Sequence, residues 1–332
     1  MNSFGRLFRV HIFGESHGET VGIVIDGCPA GLSLAMDDFL NDIERRKGGV
    51  QKGTTPRKED DLPIFKSGIF NGKTTGAPIT ILFENKNTRS GDYEKQKAVP
   101  RPGHADFTAH VKFGGNEDFR GGGHFSGRLT VCLVAAGVIA KKLLENVGIS
   151  TNARITEIAG EKDLEKGLQK AIDQKDSVGG IVECTVNGLP IGLGEHFFDS
   201  VESLISHAVF AIPAVRGIEF GTGFAAAKMF GIDHNDAMID EKGKTTSNHA
   251  GGIVGGITNG NPMVFRIAIK PTSSTPKEQE SWNWETKQVE SFSIKGRHDL
   301  CIALRVPVVL EAVTAIIMTD LMLLEQRIRR IL

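Results

Sequence analysis

Glycine in this chain comes in clusters, and no other feature constrains the fold as strongly. Forty of the 332 residues are glycine, concentrated in runs such as Gly14–Gly18, Gly121–Gly123 and Asn248–Gly260 with no fixed period. Soluble proteins average about 7% glycine. An aperiodic excess implies many tight turns and close approaches of backbone to ligand, because glycine alone enters the left-handed region without penalty. The clusters are therefore where a site is sought.

The rest of the composition is that of a soluble globular protein, with 40% hydrophobic and 24% charged residues, which supports neither disorder nor a fibrous class. A chain of this length buries a sizeable core as one large domain or two ordinary ones. The formal charge of -1 supplies no basic field, so nucleic acid is not an expected partner. Cys28, Cys132, Cys184 and Cys301 lie far apart with no CxxC pair. Neither a zinc site nor a disulfide framework is indicated, and a reducing cytoplasm fits. The apolar run Leu129–Ala140 is too short for a membrane span, and Val306–Leu324 carries Glu311 and Asp320. Both read as buried helices, and no membrane association is expected.

Ser33 to Lys47 reads as a helix, with Asp37 and Asp38 near its start, Arg45, Arg46 and Lys47 in its last turn and Gly48-Gly49 as its stop. A second helix starts near Ser126, directly after a glycine run, and stops at Gly148. Leu164–Gln174 reads as an amphipathic helix, Gly180–Val186 and Met263–Lys270 as strands, and 306–331 as a terminal helix. No linker divides the chain, so residues 1–332 are expected to form a single domain.

Two motif matches carry little weight. Gly14-Glu15-Ser16-His17-Gly18 has the GxSxG form of a hydrolase nucleophile elbow, but the thirteen residues before it are too few for the strands and oxyanion loop an elbow needs. Gly221–Ala226 has the form GxGxxA, yet Gly231, Asp233 and Asn235 interrupt any long helix after it, so a glycine-rich turn explains it better than a dinucleotide fingerprint.

Four segments hold more information. Gly14–Gly18 near Arg9, Arg101–Asp106, Arg120–Arg128 and Lys295–Cys301 each join an arginine to a histidine, serine or aspartate in a turn-like or glycine-rich setting. Arginine offers a planar fork to phosphate and carboxylate, and glycine admits backbone N–H groups to the same anion, so a small polyanionic ligand is expected. The run Arg120–Arg128 opens a helix, whose amino end also favours an anion. His17 and His104 stand in polar segments as candidates for general acid or base. Pro102 and Gly103 present Arg101, His104 and Asp106 from a rigid turn. Asp299, two residues from Arg297, reads either as a surface ion pair or as a carboxylate held ionised to accept a proton.

Taken together, GESHG at 14–18, RPGHAD at 101–106, Arg120–Gly123 with Ser126 and Arg128, NHAGGIVGGITNG at 248–260, KPTSS at 270–274 and Arg297–Asp299 with Cys301 resemble, in order and spacing, the signature set of chorismate synthases. The resemblance runs from Gly5 to the terminal helix. It implies an α+β fold, a single-domain β–α–β sandwich, assembled as a homotetramer. It also implies a lyase of the shikimate pathway, which makes chorismate for aromatic amino acid biosynthesis. The reaction is a 1,4-anti elimination of phosphate from 5-enolpyruvylshikimate 3-phosphate, requiring reduced FMN without net redox change.

By matching positions, the resemblance assigns His17 to protonating the leaving phosphate, His104 to protonating the reduced flavin near N1, and Asp299 to the proton path from flavin N5. Ser16 and Ser126 would assist by hydrogen bonding. Arg46, Lys52, Arg101, Arg128 and Arg297 would surround the substrate's two carboxylates and phosphate. Flavin contacts are implied for His124, Phe125 and Ser126, for Pro213 and Ala214, for Gly255, and for Lys270, Pro271, Thr272, Ser273 and Ser274, with Arg297 shared. The chain departs from many members at His124-Phe125-Ser126-Gly127, at Lys52 and at Lys47-Gly48-Gly49. Some members reduce their own flavin with NADPH; no reductase module is evident here, so an external flavin reductase or reductant is expected. The rival readings are a flavin or nicotinamide oxidoreductase with an anionic substrate, and a non-catalytic anion-binding protein.

Overall fold

The computed structural model describes residues 1–49, 52–55, 59–88, 97–294 and 298–328. Strands β1 (Ser3–Phe4), β2 (Arg9–Gly14) and β3 (Thr20–Asp26) precede helix α1 (Asp37–Arg46), followed by β4 (Ile64–Ser67), β5 (Ile69–Phe70), β6 (Lys73–Thr74) and β7 (Ile79–Glu84). Next come α2 (Asp106–Phe113), α3 (Thr130–Glu145), β8 (Ser150–Ile158), α4 (Leu164–Gln174), β9 (Gly180–Asn187), α5 (Val201–Val209) and β10 (Val215–Phe220). The chain continues through α6 (Gly231–His234), β11 (Ile253–Val254), β12 (Ile257–Thr258), β13 (Met263–Ile269), β14 (Gln279–Asn283), β15 (Gln288–Phe292) and α7 (Val306–Leu324).

Two antiparallel sheets enclose a helical layer. The first has the order β1-β2-β3-β7-β4 and the second β10-β13-β9-β8. Alternation dictates which face each strand buries: Val21, Ile23 and Ile25 of β3 and Ile79, Ile81 and Phe83 of β7 point inward together, as do Val182, Cys184 and Val186 of β9 with Phe265 and Ile267 of β13. Helix α3 packs on the first sheet and α7 on the second, and the two helices pack on each other. The contact is close because Gly137 faces Ala312: a Cβ on Gly137 would stand 2.2 Å from the Ala312 Cβ. Both helices are buried almost all round, as uniformly apolar helices must be. Each fully buried Leu, Ile or Phe side chain contributes about 1.5–3 kcal/mol to this layer. The result is the α+β sandwich of sheet, helices and sheet that the resemblance implies.

The long apolar helix is core. The segment Ile302–Leu324 has the length and hydropathy of a membrane span, but its most apolar stretch of 18 residues is 89% buried inside the protein. Its two carboxylates are built into the interior. Glu311 receives Arg45 through both guanidinium nitrogens (2.8 and 2.7 Å), Lys141 at 2.7 Å and the Ala153 N–H at 2.9 Å. Asp320 accepts the backbone N–H groups of Arg6, Leu7 and Phe8, clamping the entry to β2 against α7.

Helix α4 has the expected limits, with the Asp163 side chain accepting the Lys166 N–H at its start. Strands β9 and β13 end within one residue of expectation. Three helices differ. Helix α1 begins at Asp37 because Ser33 bridges to Lys73, and α3 begins at Thr130 after a short 3-10 turn over Gly127–Leu129, with Ser126 accepting the Arg128 N–H. Helix α7 stops at Leu324, followed by Gln326 at φ 54; the expected extension to 331 is not formed through residue 328. The GxSxG run joins β2 to β3 as a strand-to-strand turn with no helix after it, which removes the elbow reading. Gly221–Ala226 leads only into a 3-10 turn ending at Lys228, so the glycine-rich turn reading holds.

Candidate functional site

A cavity of about 660 Å³ opens where the glycine run, the Arg101 turn, the end of β13 and the start of α7 converge. Ligand pockets generally fall between ~300 and ~1,000 Å³. The glycine run forms one wall. Gly121, Gly122 and Gly123 have φ of 60°, 82° and 52°, the left-handed region where a side chain is strained. Space excludes a side chain as well: a Cβ on Gly121 would lie 2.4 Å from the His17 Cδ2 and 3.2 Å from the Ser16 Oγ, and one on Gly122 would lie 3.3 Å from the His104 Nε2. Two consecutive glycines thus stand between two histidines. His104 lines the cavity, whereas His17 and Ser16 are buried behind Gly121 and do not.

Beneath the cavity lies a buried group of three guanidinium and two carboxylate groups. The Arg46 Nη2 donates to Asp61 Oδ2 at 2.8 Å, and the Arg128 Nη1 makes a very short contact with Asp61 Oδ1. Arg128 is further held by Asn85 Oδ1 (2.8 Å) and the Glu84 carbonyl (3.1 Å). The Arg305 Nη2 donates to Asp299 Oδ2 at 2.6 Å, while Asp299 Oδ1 accepts the Thr55 N–H at 2.8 Å. Burial pulls Arg46 down to about 10, with Asp61 opposing that shift and Arg128 and Arg305 adding to it. Burial would push the Asp61 carboxyl up, but the charges of Arg46 and Arg128 hold it below its ordinary value. The group carries a net positive charge.

On another wall Arg101 forks onto Asp106, with Nε to Oδ2 at 2.7 Å and Nη2 to Oδ1 at 2.8 Å, and reaches Ser274 Oγ at 3.2 Å. Burial acts to raise Asp106, yet hydrogen bonds from Arg101 and His104 hold it well below the usual carboxylate range. The Ser273 hydroxyl donates to the Gly103 carbonyl (2.7 Å), tying the KPTSS segment to the RPGHAD turn. Lys270 Nζ donates to Ser273 Oγ at 2.8 Å; burial, then the charge of Arg216, lowers its pKa.

The cavity brings together most of the residues singled out from sequence. Arg46, Arg128, Arg101, His104 and Asp299 line it, as do His124, Phe125 and Ser126 from the glycine run. Pro213 and Ala214 line it before β10, and Lys270, Thr272, Ser273 and Ser274 after β13. Ser16, His17, Lys52, Gly255 and Pro271 do not. Lys52 is exposed in a turn, and Gly255 is exposed at the tip of the β11–β12 hairpin. Arg297 lies outside the described residues. Arg120, a second candidate in the glycine run, turns away to Asp118 (2.8 and 2.9 Å).

Other lining residues were not singled out. Arg305 leaves one signal, a cation at the amino end of a buried helix, where the dipole disfavours positive charge. Asp61 gives no signal, because its partners come from residues 15 and 67 positions away. His298 lines the cavity too, and burial, then the charge of Arg101, lowers its pKa to about 4.

The donor set suits a polyanion together with a phosphorylated cofactor. Arg46 Nε, Arg305 Nε, Thr272 Oγ1 and His298 Nε2 are buried without a hydrogen-bond partner among the described residues, and all four residues line the cavity. Buried polar atoms of native proteins are seldom left unsatisfied, so these atoms point to ligand oxygens as their partners.

Comparison with known proteins agrees in detail. The family model described as chorismate synthase matches residues 8–323. A chorismate synthase of Chitinophaga pinensis is 71% identical over 331 residues, covering 100% of this chain and 99% of that protein. One of Dehalococcoides mccartyi is 44% identical, covering 97% and 96%. A solved structure titled as the crystal structure of chorismate synthase superposes with a TM-score of 0.72 at 27% identity, covering 97% of this chain and 93% of that one. With the motifs in order, the sandwich formed and a basic cavity where four of those motifs meet, this chain belongs to the chorismate synthase family.

Proposed function

We propose that the large cavity is where this chain performs the family's reaction, and that the residues lining it divide the work as their chemistry suggests. The chain has chorismate synthase activity, a phosphate lyase step of the shikimate pathway that uses reduced FMN. The proposed chemistry is a 1,4-anti elimination: phosphate leaves C3 of 5-enolpyruvylshikimate 3-phosphate, a hydrogen leaves C6 and no net redox change results. Reduced FMN, when bound, supplies an electron shared transiently with the substrate.

The single observation that carries this assignment is the buried group of Arg46, Arg128 and Arg305 against Asp61 and Asp299, which retains positive charge and two Nε atoms without partners among the described residues. Three anionic groups on one substrate require such a surplus, and it also stabilises the departing phosphate. Arg46, Arg128 and Arg101 bind the substrate, and the family resemblance adds Lys52 and Arg297 to that set. Lys270 and the Thr272–Ser274 hydroxyls suit the flavin phosphate. His104 holds a proton at the cavity wall for the flavin N1 edge, and Asp299, fixed by Arg305 and Thr55, receives the proton from N5. His17, backed by Ser16, delivers a proton to the leaving phosphate past Gly121, where no side chain intervenes.

The chain folds as one domain in this reading and assembles as a homotetramer. Support comes from large apolar side chains exposed between residues 197 and 232, with Phe197, Phe198, Phe224, Phe230 and Ile232 each at least 79% exposed. Gly255, outside its own cavity, then reaches flavin only from a neighbouring copy. An external reductant keeps the flavin reduced.

The test is anaerobic incubation with 5-enolpyruvylshikimate 3-phosphate and photoreduced FMN. Phosphate and chorismate should appear in equal amounts over many turnovers while the flavin stays reduced. Flavin oxidation in step with product would establish the oxidoreductase reading instead.

A further inference from the structure

We propose that Asp106 is a positioning residue that fixes the tautomer of His104, placing the ring's N–H at Nδ1 and leaving Nε2 as the nitrogen that exchanges a proton at the glycine-loop wall. The inference rests on the reading of His104 as a group that acts at the cavity.

The geometry leaves little choice of tautomer. The Asp106 Oδ1 lies 2.5 Å from the His104 Nδ1. A bare ring nitrogen would set its lone pair against a carboxylate oxygen at that distance, so the proton must lie between them. Asp106 cannot rotate away, because Oδ2 accepts both the Arg101 Nε (2.7 Å) and the Arg101 backbone N–H (3.0 Å). The Arg101 Nη2 also stands 3.0 Å from Nδ1, but the same nitrogen donates to Asp106 Oδ1 at 2.8 Å. It therefore does not need Nδ1 as an acceptor.

The backbone completes the device. Asp106 is the first residue of α2, where the helix dipole favours its negative charge. The His104 N–H donates to the Arg101 carbonyl at 3.2 Å, so Arg101, His104 and Asp106 form one closed turn. Nε2 points toward Gly122, where the missing side chain leaves an approach to the ring. This is how a carboxylate orients a histidine in acid–base sites generally.

The test compares ring-nitrogen NMR shifts of His104 in the ligand-free protein at about pH 8, above the ordinary imidazole range, assigned by the signal missing from His104→Gln. The wild-type ring should be the Nδ1–H tautomer, and Asp106→Asn should lose that bias. Kinetically, Asp106→Asn should lower kcat on the order of 100-fold, Asp106→Glu should recover part of it, and the double variant with His104→Gln should be no worse than His104→Gln alone. An Nε2–H tautomer in the wild type overturns the proposal, even if Asp106→Asn fails to fold. A change confined to KM also overturns it, assigning Asp106 to Arg101 alone. Full activity in His104→Gln would instead remove the reading of His104 on which the proposal stands.

Discussion

Gly121 and His17 are packed so closely that a single methyl group on the glycine would stand 2.4 Å from the Cδ2 of the imidazole. Gly121→Ala combines that overlap with a left-handed φ of 60°, costing about 1–2 kcal/mol in backbone strain alone. Displacement of His17 should lower kcat by about 100-fold with the fold retained. Gly122→Ala, whose Cβ meets His104 at a more tolerable 3.2–3.3 Å, should be the milder of the two. Steady-state kinetics on both variants, with circular dichroism as the folding control, decides the matter; equal activities would detach His17 from the reaction.

Asp61 is the counter-charge for two buried arginines. Its side chain is fully buried, and those of Arg46 and Arg128 are nearly so. Asp61→Asn leaves both guanidinium groups without compensation and should destabilise the protein by about 3–5 kcal/mol. Urea denaturation measures this directly. A loss below about 1 kcal/mol, the scale of a surface pair, would mean that water or another residue takes over the charge.

Glu311 should matter for stability and little for turnover. It joins α7 to Arg45 of α1, Lys141 of α3 and the Ala153 N–H of β8 and does not line the cavity. Glu311→Ala should cost about 3–5 kcal/mol while kcat below the melting transition stays within about twofold, a difference near 0.4 kcal/mol. A large fall in kcat with unchanged melting temperature would contradict this division of roles.

Acid should unfold the protein in a predictable direction. Asp61 and Glu311 are both held below their ordinary values of 3.8 and 4.5. A carboxylate with a depressed folded-state pKa contributes stability in full above its unfolded value and loses it as pH falls toward the folded one. Melting temperature should therefore fall steeply below about pH 5; a shallower decline begins near the ordinary imidazole value of 6.5, because burial holds His298 down at about 4 while its unfolded state takes up a proton. Asp61→Asn should reduce the steepness of that fall, and a slope unchanged by the substitution would show that other groups govern it.

The four thiols should be silent in the native protein. All are buried, and burial pushes Cys28, Cys132 and Cys184 up to about 12 and Cys301 to about 11. The thiolate is the reactive form. Titration with a chromogenic disulfide near pH 8 should find no rapidly reacting thiol until denaturant is added, and then four. Rapid labelling of even one native cysteine would place it at an opening that the fold does not show.

Local chemistry was legible in the sequence wherever neighbours in the chain decide the structure. Helix α4 follows from its amphipathic spacing, β13 from alternation, and the special turns from RPGHAD and from glycines at 121–123. Family membership was legible too, because six separated motifs keep their order. The five-stranded first sheet was not read, since its pairing joins residues up to 64 apart in the chain, Thr20 with Glu84. The site divides along the same line. Arg46, Arg101, His104, Arg128 and Lys270 announce themselves as cations or histidines beside turns. Tertiary structure alone decides that Asp61 neutralises Arg46 and Arg128, that Arg305 grips Asp299, and that His17 stands behind Gly121. Propensity and spacing act over a few residues, whereas Coulomb energy and close packing act between whichever groups the folded chain brings within a few ångströms.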